Sequence, residues 1–256
     1  MAFALSRPFG RLLPTALVAA FVLAGCSKDP AFEAKVHAYL ISHPEVIEEM
    51  EMKLHDKQEA ELSARAKPII HAHAKEIFSD PRDPFVGPRD AKVVVVQFFD
   101  YRCPHCKAEA APGVAALIKQ HPDVKFVFKD FPIFGGGSVA ASRTAIGVWK
   151  TNPGDYYKAY TQMMADADLD ESVSDPAGTA KMQVSVDKII TGLGLNAAAV
   201  DGLGAAKDAT AELADNQKLA AELGLEGTPA FIVGDTLVSG ADMDRVERLI
   251  QNGGKS

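Results

Sequence analysis

The sequence predicts an α/β fold with an inserted helical domain, preceded by an N-terminal helical stalk. Three observations predict it. A β-branched apolar run at 93–99 is followed at once by a helical stretch and then by a second strand-like run at 124–128. From about 138 to 224 the composition is helical. After that, Ala230–Val233 and Leu237-Val238 flank Gly234-Asp235, a hairpin signal, and a last helix spans about 242–251. The order is βαβ, insertion, ββα. The 256 residues, 47% apolar and 24% charged, suit one large or two small globular units. A net charge of −7 without a basic stripe argues against a nucleic-acid partner.

The chain start reads as an export signal. Arg7 and Arg11 precede an apolar run from Leu12 to Leu23, which ends in Leu23-Ala24-Gly25-Cys26. These four residues resemble a lipobox, cut before Cys26, whose thiol is then lipidated. Residues 1–25 are therefore expected to be a lipoprotein signal peptide, with the only membrane attachment through the lipid on Cys26. Ser27 after the cysteine leans towards the outer membrane rather than the inner one. The expected location is the periplasm, where disulfides persist.

Residues 26–80 are expected to be a helical oligomerisation segment. Phe32, Val36, Tyr39 and Leu40 make a short helix. Ser42-His43-Pro44-Glu45 reads as a helix start with Ser42 as N-cap, and Val46, Ile47, Met50 and Leu54 recur at helical spacing. Pro68 is expected to bend or end this helix. So sparse an apolar stripe needs a partner. Either the domain's own surface or the same stripe on another subunit supplies it, and self-association through 30–80 into a homo-oligomer (dimer or trimer) is the expectation. Residues 81–84 read as a linker, and 85–252 as the main domain.

The stretch Tyr101-Arg102-Cys103-Pro104-His105-Cys106-Lys107 carries the chemistry. With Cys26 assigned to lipid, Cys103 and Cys106 are the only thiols left. A disulfide clip around two residues restrains little unfolded chain. A structural zinc site wants four ligands, and there is no second cysteine pair; His71 and His73, two apart, face different sides of a helix. The pair is redox-active by elimination, and no metal or other cofactor is implied. Pro104 to Gln120 reads as a helix with Cys103 at its cap, Pro104 at N1 and a kink at Pro112. A helix N-terminus favours the Cys103 thiolate, the attacking species, and His105 adds a cation or N–H donor beside it. Cys106, one turn deeper, reads as the resolving thiol. The cluster Tyr156, Tyr157 and Tyr160 reads as packing, Trp149 as core of the helical block, and Gly135-Gly136-Gly137-Ser138 as a loop and cap.

This arrangement resembles the thioredoxin superfamily and, within it, the DsbA-like thiol–disulfide oxidoreductases. The Cys-Pro-His-Cys tetrapeptide after a strand, the Gly227-Thr228-Pro229 loop and a helical block between the second and third strands carry the likeness over about 84–252. The resemblance implies a thioredoxin fold in which Pro229 is cis and lies against the cysteines, and Thr228 and Pro229 align a client strand. It implies exported proteins with thiols or disulfides as clients and a membrane redox partner of the DsbB or DsbD/ScsB type. The stalk resembles those of ScsC-like proteins, whose multimers tend towards isomerase or reductase work. Thr228 fits that branch too, since the principal oxidase has valine there. A lipoprotein whose stalk binds a partner or a copper-stress component is the alternative. One departure stands out. Such proteins usually carry a buried glutamate six residues before the first cysteine, and here that position is Gln97.

Overall fold

A computed structural model describes residues 30–169 and 176–255. The signal segment 1–25 and Cys26 lie outside the described residues. The chain forms two compact units, the first ending at Leu54 and the second beginning at His55.

The described part of the first unit holds α1 (Pro30–Ser42) and the start of α2 (Glu45–Ala72). α1 buries none of its side chains. Phe32, Val36, Tyr39, Ile47, Met50 and Leu54 are all exposed and recur at three- and four-residue spacing within each helix. Ser42 does not cap α2. Its hydroxyl donates back to the carbonyls of Ala38 (2.8 Å) and Tyr39 (2.9 Å), the usual alternative for a serine inside a last turn.

In the second unit α2 continues past Pro68 to Ala72. The expected break does not occur because Ala66 and Ile70, on either side of the proline, are buried in the core. Burying an isoleucine contributes about 1.5–3 kcal/mol, comparable to the ~3 kcal/mol that an interior proline costs. The remaining elements are α3 (Ala74–Phe78), β1 (Phe85–Val86), β2 (Val94–Phe99), α4 (Ala111–Gln120), β3 (Lys125–Asp130), α5 (Gly136–Thr151), α6 (Tyr156–Ala165), α7 (Pro176–Gly192), α8 (Ala197–Gly204), α9 (Lys207–Glu222), β4 (Ala230–Val233), β5 (Thr236–Ser239) and α10 (Met243–Gln251).

The sheet order is β1-β3-β2-β4-β5, with β2 parallel to β3 and the other pairs antiparallel. β2 is central. Val95 and Phe99 enter one core, Val96 and Phe98 the other, which is why the run is apolar on both faces. The first core also holds α4, α6 and α10 side chains; the second holds Ala66, Ile70 and Ile77. β5 is an edge strand, and α2 satisfies it with side chains. The Leu237 N–H donates to Ser63 Oγ (3.2 Å), and the Ser239 N–H donates to Glu59 Oε2 (3.1 Å). The segment read as a linker carries Asp83, which is buried and paired with Lys129 Nζ at 2.7 Å. Trp149 is only half-buried and packs on Phe85 (5.5 Å) and Tyr156 (5.9 Å).

Candidate active site

β2 ends at Phe99, and the chain then turns through Asp100, Tyr101 and Arg102 into the cysteines. The buried Asp100 carboxylate fixes that turn. It accepts from the backbone N–H of Arg102 (2.8 Å), Ile133 (2.7 Å) and Phe134 (3.1 Å), and so ties the active-site turn to the loop after β3. Its role was not read from the sequence, although an aspartate directly after a buried strand is a turn signal.

The helix that follows is continuous from Pro104 but not uniform. Cys106–Ala110 is a π-helical turn, closed by the Ala111 N–H on the Cys106 carbonyl, and α4 continues from Ala111. Where a kink at Pro112 is expected, the chain instead widens in the turn before the proline. Proline has no N–H for the carbonyl of Ala108 and its ring crowds that carbonyl, so the widened turn removes the clash.

Cys103 is 2% exposed and Cys106 0%. Both are free thiols. Cys103 is thus less open than a helix-cap position suggests, because the Thr228-Pro229 loop lies on it. The Cys103 thiol donates to the Thr228 carbonyl at 3.1 Å, and the Cys106 N–H points at Cys103 Sγ from 3.4 Å. The Thr228–Pro229 peptide is cis, and Pro229 is buried. Pro104 and His105 are exposed. The His105 ring pairs through Nδ1 with Glu109 Oε1 at 2.8 Å, so its help to Cys103 comes through its backbone N–H.

These contacts separate the two thiols. The Cys103 thiol is lowered to about 6, chiefly by the hydrogen bond from the Cys106 thiol. Thr228 and the N–H groups of Cys106 and His105 add to this, and together they outweigh burial. Cys106 is pushed up, first by burial and then by the hydrogen bond and negative charge of Cys103. Near neutral pH the first thiol is therefore the one that ionises, and the second keeps its proton. Below them, Tyr160 Oη donates to Gln97 Oε1 at 3.1 Å. Tyr156 and Tyr160 are buried around Phe128, as packing residues. Among the described residues no three His, Cys, Asp or Glu side chains gather as metal ligands.

Residues 94–251, which hold β2, both cysteines and the cis-proline loop, match the family described as DSBA-like thioredoxin domain. The chain belongs to the DSBA-like thioredoxin family. Residues 30–61 separately match the description Copper resistance protein ScsC N-terminal domain. The catalytic domain of Proteus mirabilis ScsC is 28% identical, with a TM-score of 0.59 over 73% of this chain and 98% of that one. Salmonella enterica Typhimurium BcfH is 31% identical, with a TM-score of 0.63 over 88% of this chain and 95% of that one. Disulfide bond formation protein D of Bacillus subtilis is 26% identical over 173 residues, 66% of this chain and 75% of that protein. As a member of the DSBA-like family with the thioredoxin fold, this chain is a protein-disulfide oxidoreductase.

Proposed function

We propose that the protein is a periplasmic thiol–disulfide interchange enzyme, anchored by lipid on Cys26, that forms or rearranges disulfides in exported proteins. One observation carries the reading: the Cys103 thiol, packed against the cis Thr228–Pro229 loop, is lowered to about 6, chiefly by the Cys106 thiol as donor, while buried Cys106 keeps its proton. A client thiolate attacks the Cys103 sulfur of the oxidised pair, and Cys106 leaves. A second client thiolate then releases Cys103, whose low pKa makes it a good leaving group. In reverse, Cys103 attacks a client disulfide and Cys106 resolves the mixed species. Thr228 and Pro229 hold the client strand, since Pro229 has no N–H and leaves the Thr228 carbonyl side for pairing. A groove of about 680 Å³ continues from Gly227 between α2 and the end of α9, with Leu62, Ile69 and Leu225 in its lining, and suits the rest of the client chain.

Rearrangement is favoured over plain oxidation by the apolar stripe of residues 32–54, which supports self-association and hence several sites per assembly. The deciding experiment measures the reduction potential of the Cys103–Cys106 pair, the oligomeric state and the refolding of scrambled ribonuclease. An oligomer that unscrambles ribonuclease is the expected result, and a strongly oxidising monomer without that activity would reject rearrangement. A second reading gains from the ScsC-type match at 30–61: this segment binds a copper-stress or envelope partner, and the pair acts as reductase or sensor. Full function of a Cys103→Ser protein in cells would favour that reading.

A further inference from the structure

Cys106 is fully buried, so its leaving as a thiolate demands a proton at its sulfur. Gln97 cannot hold a titrating proton, and another group must. The same face of the sheet carries one. The register pairs Gln97 with Phe128 and Phe99 with Asp130. Asp130 therefore projects from the neighbouring strand on the Gln97 side, two residues further along. It is 2% exposed, and among the described residues neither carboxyl oxygen has a hydrogen bond of normal geometry. A native protein seldom buries such a group without a use for it.

Three buried tyrosines belong to the same core. Tyr160 binds Gln97, and its ring lies 6.1 Å from Tyr101 and 6.5 Å from Tyr156. The hydroxyls of Tyr101 and Tyr156 are buried and act on each other, and that of Ser142 acts on Asp130, although among the described residues none of the three has a hydrogen bond of normal geometry. Cys106 acts electrostatically on Tyr160, while Asp130 acts on all three tyrosines.

We propose that Asp130 is the proton store of Cys106, reached through the hydroxyls of Tyr160, Tyr156 and Tyr101, in place of a carboxyl at position 97. The inference rests on the reading of Cys103 as the attacked sulfur and Cys106 as the leaving one. The client thiolate forms a bond to Cys103 Sγ, and the Cys103–Cys106 bond breaks with its electron pair going to Cys106. The Tyr160 O–H turns from Gln97 to Cys106, which takes its proton, and Tyr160 is refilled along the hydroxyls from the Asp130 carboxyl. The client sulfur is oxidised and Cys106 reduced; Asp130 is left as carboxylate, with Ser142 as a donor. Client reduction runs the same transfers backwards. Asp130 suits the store because the charged groups around it are acidic. Glu212 faces it from α9, Asp100 from the end of β2 and Asp83 from the segment before β1; Lys129 belongs to the Asp83 pair. Burial, first, and this acidic surround push Asp130 well above the usual carboxylate range, which favours its protonated form. Glu212 is itself pushed up to about 8, mainly by burial.

The test mixes the oxidised full-length protein with glutathione and follows release of the Cys106 thiol, by acid quench and alkylation, between about pH 5 and 9. Asp130→Asn and Tyr160→Phe are each expected to slow release about 100-fold and to flatten its pH profile. The double variant should be no slower than either single one. Gln97→Glu should restore the rate in the Asp130→Asn background, which a merely structural role would not allow. A profile for Asp130→Asn that superimposes on the parent's overturns the proposal, and so does a slowed Asp130→Asn that Gln97→Glu leaves slow. If Asp130→Asn fails to fold, an unchanged profile for Tyr160→Phe overturns it. No exchange in the parent itself would instead reject the reading of the cysteine pair.

Discussion

Cys103 and Cys106 have the same side chain and only two residues between them, yet their surroundings give them opposite titration behaviour. The largest cause on Cys103 is the Cys106 thiol as donor, so that donor can be varied. Thiolate absorbance should titrate near 6 in the parent protein. Cys106→Ala should move the midpoint up towards the ordinary thiol value, whereas Cys106→Ser, which keeps an O–H donor, should move it less. Equal shifts for the two would assign the effect to the backbone N–H groups instead. The same asymmetry sets a stability prediction. Cys103 is depressed in the fold, so its thiolate stabilises the reduced protein fully above the unfolded thiol pKa, and the contribution is lost as pH falls through about 6. Cys106, being raised, opposes folding only above the unfolded value of 9.0. Between pH 6 and 9 the reduced form should gain melting temperature relative to the disulfide form, which lacks both thiols. A difference that stays flat across that window would contradict the assignment.

At the scale of elements, α2 does two things along one helix. Its second half closes the edge of the sheet, and Glu59 is the centre of that contact. Its Oε2 accepts from the Ser239 N–H and from Arg245 Nη1 at 3.2 Å, and the side chain is almost buried. Glu59→Ala would leave both donors unmet, at about 1–3 kcal/mol for a lost buried partner. Glu61→Ala, on the exposed face opposite Lys57, should change little. Urea unfolding that ranks the two variants equally would remove Glu59 from this role. The contact also explains what could be read from the sequence. The strands, the Cys-Pro-His-Cys turn and the Gly-Thr-Pro loop are local motifs, and each was legible. The His105–Glu109 pair was legible in principle too, from its four-residue spacing. The docking of Glu59 on β5, the passage of α2 through Pro68, and the placing of Asp130 near Tyr160 arise from residues far apart in the chain. No local pattern encodes them; burial decides them, and it overrides propensity at Pro68.

For the whole molecule, the unexplained feature is the apolar surface of residues 32–54. On α1, Phe32, Val36 and Tyr39 share one face; on α2, Ile47, Met50 and Leu54 do, while Ile41 and Met52 lie on the opposite sides of their helices. A monomer in water has no use for two such stripes, because each leaves apolar area unburied that a second copy could cover. Ile47→Glu with Met50→Glu should therefore convert the protein to a monomer by light scattering, while Met52→Glu, off the stripe, should leave its mass unchanged. Glutathione exchange at Cys103 should be the same in all three, since that site lies within 55–256. Scrambled-ribonuclease refolding is expected to fall only in the monomer, because rearranging a client needs a second site close enough to act before the client diffuses away. If the monomer refolds ribonuclease as fast as the parent, the stripe serves a different partner, and the chemistry belongs to each catalytic unit alone.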